Sequence, residues 1–208
     1  MKESYFITGI GTDVGKTIVS AILTEALNAD YWKPIQAGAL ENSDTKKVEK
    51  LISNSKTKFH PSAFALTAPM SPHAAAEIDG LTIRLSQIKR PETKNSLIIE
   101  GAGGLLVPLN DKDTIVDIIQ PTDKVVVVSQ HYLGSINHTL LTIELLRQRK
   151  LNVFGIIFNG TENPTTEKII ESMTGLPILG RIDKEPYFDV AVISEYAQKF
   201  KDEAFRKR

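Results

Sequence analysis

Nine residues near the amino terminus, Gly9 to Thr17 (Gly-Ile-Gly-Thr-Asp-Val-Gly-Lys-Thr), have the types and spacing of a loop that grips phosphate. Glycines let backbone N–H groups converge on an anion, the lysine adds a point charge, and the hydroxyl after it can ligate magnesium. The apolar run Tyr5-Phe6-Ile7 ahead of the loop reads as a strand. Ile18, Val19, Ile22 and Leu23 behind it read as the buried face of a helix whose positive end meets the same anion. The spacing is unusual. The common pattern has about four residues between the first glycine and the Gly-Lys-Thr, whereas five separate Gly9 from Gly15 and three separate Gly11 from Gly15.

Two further stretches carry charge to strand ends. Leu97-Ile98-Ile99-Glu100 is an apolar strand ending in a carboxylate, followed by the glycine-rich turn Gly101-Ala102-Gly103-Gly104. In a parallel sheet that end lies at the carboxyl edge, where ligands bind and where an acidic residue can share a magnesium ion with Thr17. The plainer reading is a glutamate that caps a helix or faces water. In Trp32-Lys33-Pro34 the proline keeps Lys33 extended, which aims its side chain at the same edge. A strand-end lysine is ordinarily a solvated charge, and only the company of Lys16 and Glu100 gives this one a functional reading. Asp44, in Asn42-Ser43-Asp44, offers either a second metal carboxylate or an ordinary helix N-cap.

These groups need a scaffold that brings several strand ends to one edge. Short β-branched runs alternate with segments of helical period, the pattern of an α/β, doubly wound, mostly parallel sheet. Strands are expected at Tyr5–Thr8, Tyr31–Lys33, Leu97–Ile99, Val125–Ser129, Val153–Phe158 and Ile178–Ile182, with Val125 to Val128 covered on both faces. Helices are expected over Gly15–Leu27, Ile136–Gln148 and Thr165–Thr174, and an amphipathic one carries Val190, Ile193, Ala197 and Phe200 with no catalytic role. The stretch from Ser53 to Gly80 is the least regular and reads as a lid or substrate loop. At 208 residues with 41% hydrophobic content, the chain suffices for a single P-loop domain, taken as 1–208.

Composition narrows the partners. Lys plus Arg equals Asp plus Glu at 25 each, so no global field draws nucleic acid or an anionic membrane, and a small anionic ligand is expected instead. Cysteine is absent, which excludes disulfides, thiolate metal sites and a cysteine nucleophile. Met1-Lys2-Glu3 runs straight into the first strand without a basic and apolar leader, so a cytoplasmic enzyme with access to ATP is expected.

Gly9 to Thr17, Lys33-Pro-Ile-Gln-Ala-Gly38, Asn42-Ser-Asp44, Ser71-Pro-His73, Glu100 to Gly104 and Gly134-Ser-Ile-Asn-His-Thr139, in this order, resemble the dethiobiotin synthetase family over nearly the whole chain, including the unusual loop spacing. The resemblance implies a cyclo-ligase of biotin biosynthesis. It joins 7,8-diaminopelargonate and CO2 into the cyclic urea of dethiobiotin through a carbamate and a carbamic-phosphoric anhydride, and releases ADP and phosphate. It also implies a homodimer. Position by position, it implies ATP phosphates on Thr12, Asp13, Val14, Gly15, Lys16 and Thr17, and magnesium on Thr17, Asp44 and Glu100. Gly101, Ala102 and Gly103 fall in the nucleotide site, with Asn159 reading adenine through its paired amide donor and acceptor. Lys33 and Lys16 become the catalytic charges on carbamate and phosphoryl oxygens. Gly134, Ser135 and Asn137 open the helix that receives the substrate carboxylate across the dimer interface, with Lys33 and Ala37 on the substrate as well. His138 is read as a candidate there or as a buried hydrogen-bonded histidine, and His73 as structural at the entrance.

Two positions depart from the family pattern. Ala37 stands where a serine or threonine is common, so substrate contact there falls to the backbone. Arg181-Ile182-Asp183-Lys184-Glu185 replaces an Ile-Pro pair that walls the adenine. From another class, a switch ATPase of the partitioning and septum-placement type shares the fold, but such proteins carry a second lysine in the loop where this chain has Ile10, Thr12 and Asp13. A glutamine-dependent amide synthetase on the same fold would need an ammonia source, and no cysteine is present for a thiol glutaminase.

Overall fold

The structure, a computed structural model, describes residues 2–202. Its centre is a parallel sheet of β1 (Ser4–Gly9), β2 (Asp30–Trp32), β4 (Phe59–His60), β6 (Leu97–Glu100), β7 (Lys124–Gln130), β8 (Asn152–Asn159) and β9 (Ile178–Ile182). The strands lie in the order β4-β2-β6-β1-β7-β8-β9. Each expected strand appears to within a residue or two of its expected ends, because each is an apolar run that only a doubly covered sheet can bury. Along β7, Val126 and Val128 pack toward α1 (Lys16–Leu27) and α6 (Val190–Phe200). Val125 and Val127 pack toward α4 (Ser135–Gln148) and α5 (Pro164–Thr174) on the opposite face. All four valines are fully buried, each worth about 1.5–3 kcal/mol of apolar transfer, so a charge at any of them would break the layer.

The register decides which side chains meet. Ile7 on β1 lies opposite Glu100 on β6, and Trp32 on β2 lies opposite Ile99. Lys33, one residue beyond the end of β2, therefore emerges beside Glu100 at the carboxyl edge. The irregular stretch differs from expectation. Within it lie β4, β5 (Phe64–Leu66) and α3 (Pro72–Ile78), and β5 pairs in parallel with β3 (Ile35–Ala37) as a separate two-stranded sheet. These strands are too short to show a period, and their neighbours' hydrogen bonds hold them in place. Pro69, Met70 and Ser71, between β5 and α3, and Pro72 at the start of α3 wall the cleft described next. Helix α2 (Asp44–Leu51) is capped by Ser43, whose side chain accepts from the Lys46 backbone N–H at 3.3 Å. Asp44, the first helical residue, is thereby released from capping.

Candidate active site

A cleft of about 760 Å³ opens at the carboxyl edge, between the loop after β1 and the small β3–β5 sheet. The loop is built tightly. A Cβ on Gly9 would stand 2.5 Å from Val14 Cγ2, and Val14 itself is buried. Gly15 caps α1 at φ 96°, in the left-handed region open to glycine, and presents the unpaired N–H groups of the first helical turn to the cleft. Thr12 and Asp13 lie exposed at the loop's rim and line the cleft with Gly15, Lys16 and Thr17. Lys16 is 7% exposed, and its Nζ donates to the Gly11 carbonyl at 2.7 Å. Burial first, and then the neighbouring Lys33 charge, push the Lys16 ammonium down to about 8.

Facing the loop is a compact charge cluster. Lys33 Nζ lies 2.8 Å from Asp44 Oδ2 and 2.9 Å from Glu100 Oε1, and it donates to the Gly101 carbonyl at 3.1 Å. Thr17 Oγ1 donates to the same Glu100 oxygen at 2.9 Å. Burial works against the charge on Lys33, but the two carboxylates outweigh it and hold its pKa above the ordinary lysine value. Burial likewise raises Asp44, and the Lys33 ammonium overrides it, leaving that carboxyl below the usual range. Thr17, Asp44 and Glu100 are thus brought together from three elements around one ammonium. The donor set fits magnesium, since a hydroxyl and two carboxylates are hard oxygen ligands. Among the described residues no three His, Cys, Asp or Glu converge as a complete metal site, so such an ion would complete its shell with phosphate oxygens and water.

The remaining expected residues fall into three groups. Ala37, Ala102 and Gly103 line the cleft, whereas Gly101 supports it from behind through its carbonyl and its N–H to Ile7 O at 3.0 Å. Asn159, at the end of β8, donates its amide to Val14 O at 3.0 Å and so braces the loop. It also borders a separate cavity of about 420 Å³ with Gln130, Gly160, Asp183 and Lys184. Gly134, Ser135 and Asn137 lie away from the cleft of their own chain. Gly134 caps α4 at φ 104°, Ser135 is buried, and Asn137 is exposed. His138 is exposed rather than buried, with Nδ1 2.8 Å from the Tyr132 hydroxyl, because the first turn of α4 has no cover. His73 is exposed on α3, its N–H donating to Pro108 O at 3.2 Å.

Sequence reasoning missed two supports. Gln36 accepts from Asp44 N at 3.1 Å and donates to Gly38 O at 3.0 Å, tying the start of α2 to β3. Tyr31 donates its hydroxyl to Glu100 Oε2 at 2.8 Å. Its signal was available in the alternation of a strand, which puts Tyr31 on the same face as Lys33.

An AAA domain family model matches residues 3–191. The chain is 62% identical over 201 residues, 97% of each chain, to the protein named ATP-dependent dethiobiotin synthetase BioD of Christiangramia forsetii. It is 50% identical to the protein of the same name from Cytophaga hutchinsonii, over 96% of this chain and 98% of that one. The chain belongs to the dethiobiotin synthetase family. Among solved structures, a pNOB8 ParA bound to nonspecific DNA aligns with a TM-score of 0.62 at 9% identity over the whole of both chains. The septum site-determining protein MinD complexed with Mg-ADP from Pyrococcus horikoshii aligns at 0.58 and 15% identity, over 98% of this chain and 90% of that one. At such identities the likeness speaks for a shared P-loop architecture alone. The partitioning and septum-placement proteins share this chain's sheet, while its residues follow the synthetases.

Proposed function

We propose that this chain is an ATP-dependent dethiobiotin synthetase that closes the cyclic urea of dethiobiotin from 7,8-diaminopelargonate and CO2. The observation that carries the reading is the 62% identity over 97% of both chains to a protein named for that activity. The cleft supplies a physical account of each step. One substrate amine, as the neutral base, bonds to the carbon of CO2 and loses a proton, giving a carbamate. A carbamate oxygen then takes the γ-phosphoryl group of ATP, the bond to ADP breaks, and a carbamic-phosphoric anhydride forms. The second amine attacks the anhydride carbon, a C–N bond forms, the C–O bond to phosphate breaks, and the ring closes with loss of another proton.

Every step gathers negative charge on oxygen, so catalysis calls for fixed positive groups and no enzyme nucleophile. Lys16 and the first turn of α1 hold the β- and γ-phosphates. Lys33, on the other wall of the same cleft, faces the carbamate and the phosphoryl group in transfer. Its position between Asp44 and Glu100 keeps it charged and orients it before substrate arrives. Thr17, Asp44 and Glu100 would hold magnesium, which supplies charge neutralisation on the phosphate oxygens. Ala37, Pro69, Met70 and Val107 offer the apolar wall suited to the substrate's aliphatic chain. Asn159 borders the adenine, with the cavity toward Asp183 as the place for the base.

The substrate carboxylate goes to the start of α4 of a second copy. At that helix end Ser135 N–H is already given to Tyr132 O at 3.0 Å, which leaves the N–H groups of Ile136 and Asn137 for an anion, and around it Leu133, Ile136 and Leu141 are exposed. A homodimer would cover this apolar surface and bring Gly134, Ser135 and Asn137 over the partner's cleft. No helix among the described residues is long and apolar enough to cross a membrane, and the use of ATP supports a cytoplasmic setting for the reaction.

The test is phosphate release from magnesium ATP and bicarbonate with and without 7,8-diaminopelargonate, with dethiobiotin followed by mass. Diamine-dependent release matched one to one by product is expected. Hydrolysis that ignores the diamine and yields no ring would return the chain to the switch ATPases.

A further inference from the structure

Glu100 is the one cleft carboxylate gripped on both oxygens by side chains from other strands and helices. Its Oε1 accepts from Thr17 and Lys33, both of which face the nucleotide side. Its Oε2 accepts from the Tyr31 hydroxyl at 2.8 Å, on the side away from the cleft. Tyr31 is fully buried, sits in β2 between β4 and β6, and has its ring against Phe59 with centroids 5.9 Å apart. The phenol is therefore fixed by a hydrogen-bonded strand and a packed ring. A glutamate's last torsion is a soft two-fold rotor that its own rotamer does not fix. The hydroxyl supplies what that torsion lacks.

We propose that Tyr31 is a positioning residue for the metal site: its hydroxyl holds the Glu100 carboxylate plane so that Oε1 stays turned toward Thr17 and the nucleotide's phosphates. The inference rests on the reading that Thr17, Asp44 and Glu100 share a magnesium ion. Outer partners of metal ligands are worth about 10–100-fold in metal affinity, because they fix orientation and leave no buried lone pair unpaired. Without the hydroxyl, Oε2 of Glu100, in a side chain only 1% exposed, keeps no hydrogen-bond donor among the described residues. Asp44 is held differently, its Oδ2 by Lys33 at 2.8 Å, its Oδ1 by Lys47 at 3.3 Å and its backbone N–H by Gln36 Oε1 at 3.1 Å, with no contact from Tyr31.

The experiment measures Mn2+ binding by electron paramagnetic resonance to the full chain with a non-hydrolysable ATP analogue, in wild type, Tyr31→Phe and Glu100→Gln. Affinity for the same analogue in EDTA is measured in parallel. Tyr31→Phe is expected to weaken Mn2+ on the order of tenfold and, because a buried lone pair loses its donor, to lower the EDTA melting temperature as well, while metal-free nucleotide affinity stays near wild type. A merely structural tyrosine would move the melting curve and leave Mn2+ affinity alone, and that result overturns the proposal. Loss of Mn2+ affinity in Glu100→Gln but not in Tyr31→Phe removes the role of Tyr31 and keeps the metal site. Unchanged Mn2+ affinity in Glu100→Gln removes both. Should Tyr31→Phe not fold, 3-fluorotyrosine placed at position 31 keeps the question open to measurement. Its fluorine signal is expected to move when Mg2+ joins the analogue complex, and a signal indifferent to Mg2+ overturns the proposal.

Discussion

Helices α1 and α4 begin in the same way and end up in opposite circumstances. Each opens behind a glycine in the left-handed region, Gly15 at φ 96° and Gly134 at φ 104°, with no side chain capping the first turn. Each offers a positive end to an anion, although at α4 the Ser135 N–H is already taken by Tyr132 O at 3.0 Å. At α1 the chain completes the site itself: Lys16 is buried, Asn159 braces the loop at 3.0 Å, and the Lys33, Asp44 and Glu100 cluster faces it. At α4 the turn is touched by Tyr132, through its carbonyl to Ser135 N–H at 3.0 Å and its hydroxyl 2.8 Å from His138 Nδ1, and Leu133 beside it is fully exposed. One device can thus be finished within a chain or left for a second chain to finish. On the proposed function the first would hold the phosphates, and the second would tie substrate binding to assembly.

Removing charge on the finished side should break the contrast most strongly. Lys16→Ala and Lys33→Ala are each expected to lower turnover by at least 10²–10³-fold, on the order of a lost preorganised donor, measured as dethiobiotin formed per enzyme. Lys33→Ala should differ from Lys16→Ala in stability as well. It leaves buried Glu100 with only the Thr17 and Tyr31 hydroxyls and Asp44 with Lys47 at 3.3 Å, and removing one partner of such a buried pair costs about 3–5 kcal/mol. Denaturant titration checks this, and a Lys33→Ala midpoint equal to wild type would deny the structural share.

Glycine replacements set the two helix starts against each other directly. A Cβ at Gly15 would meet Asn159 Nδ2 at 2.3 Å, whereas at Gly134 the nearest atom is His138 Cε1 at 3.8 Å. Gly15→Ala should therefore lose nucleotide binding by collision as well as strain, and Gly134→Ala should carry only the backbone strain of about 1–3 kcal/mol. Calorimetry with an ATP analogue should find Gly15→Ala defective and Gly134→Ala close to wild type, with the KM for the diamine raised in the latter. Equal nucleotide affinities in the two variants would erase the distinction. Asn137→Ala should be milder again, raising the KM for the diamine a few-fold with kcat for bound substrate retained. Sedimentation should show the chain as a dimer, and dilution that dissociates it should lower activity in step.

The smallest effect concerns pH. In the ligand-free chain, burial and the Lys33 charge hold Lys16 near 8, against 10.5 for a free lysine. Between those values the unfolded chain keeps a proton that the folded chain has lost, so stability rises with pH through that window, and the cost of the buried charge is fully present below it. Lys33 has the opposite sign: its pKa is raised, so its stabilisation is complete below 10.5 and is lost only as pH climbs through the folded value. Nucleotide affinity in EDTA should fall several-fold as pH rises from 7.5 to 9.5, and flatten in Lys16→Arg. A flat wild-type profile would mean that Lys16 keeps its proton throughout.

Much of this molecule was legible before any coordinate. The phosphate loop is local, since nine consecutive residues carry their own geometry, and the strand ends bearing Lys33 and Glu100 follow from apolar runs that stop at a charge. The short strands β3, β4 and β5 were not legible, since two or three residues show no period and are stable only where neighbours pair with them.

The sequence by itself determined the class of chemistry, the parallel sheet and the family, because motif spacing and hydrophobic period are properties of adjacent residues. Only the tertiary structure decided that Ser43 caps α2 and frees Asp44, that Lys33 stands between two carboxylates, that Tyr31 reaches Glu100 and that Asn137 faces away from its own cleft. Those facts depend on strand register and helix placement, which bring together residues distant in the chain, such as Tyr31 and Glu100. No local pattern encodes that meeting, because it is set by how the whole sheet closes its core.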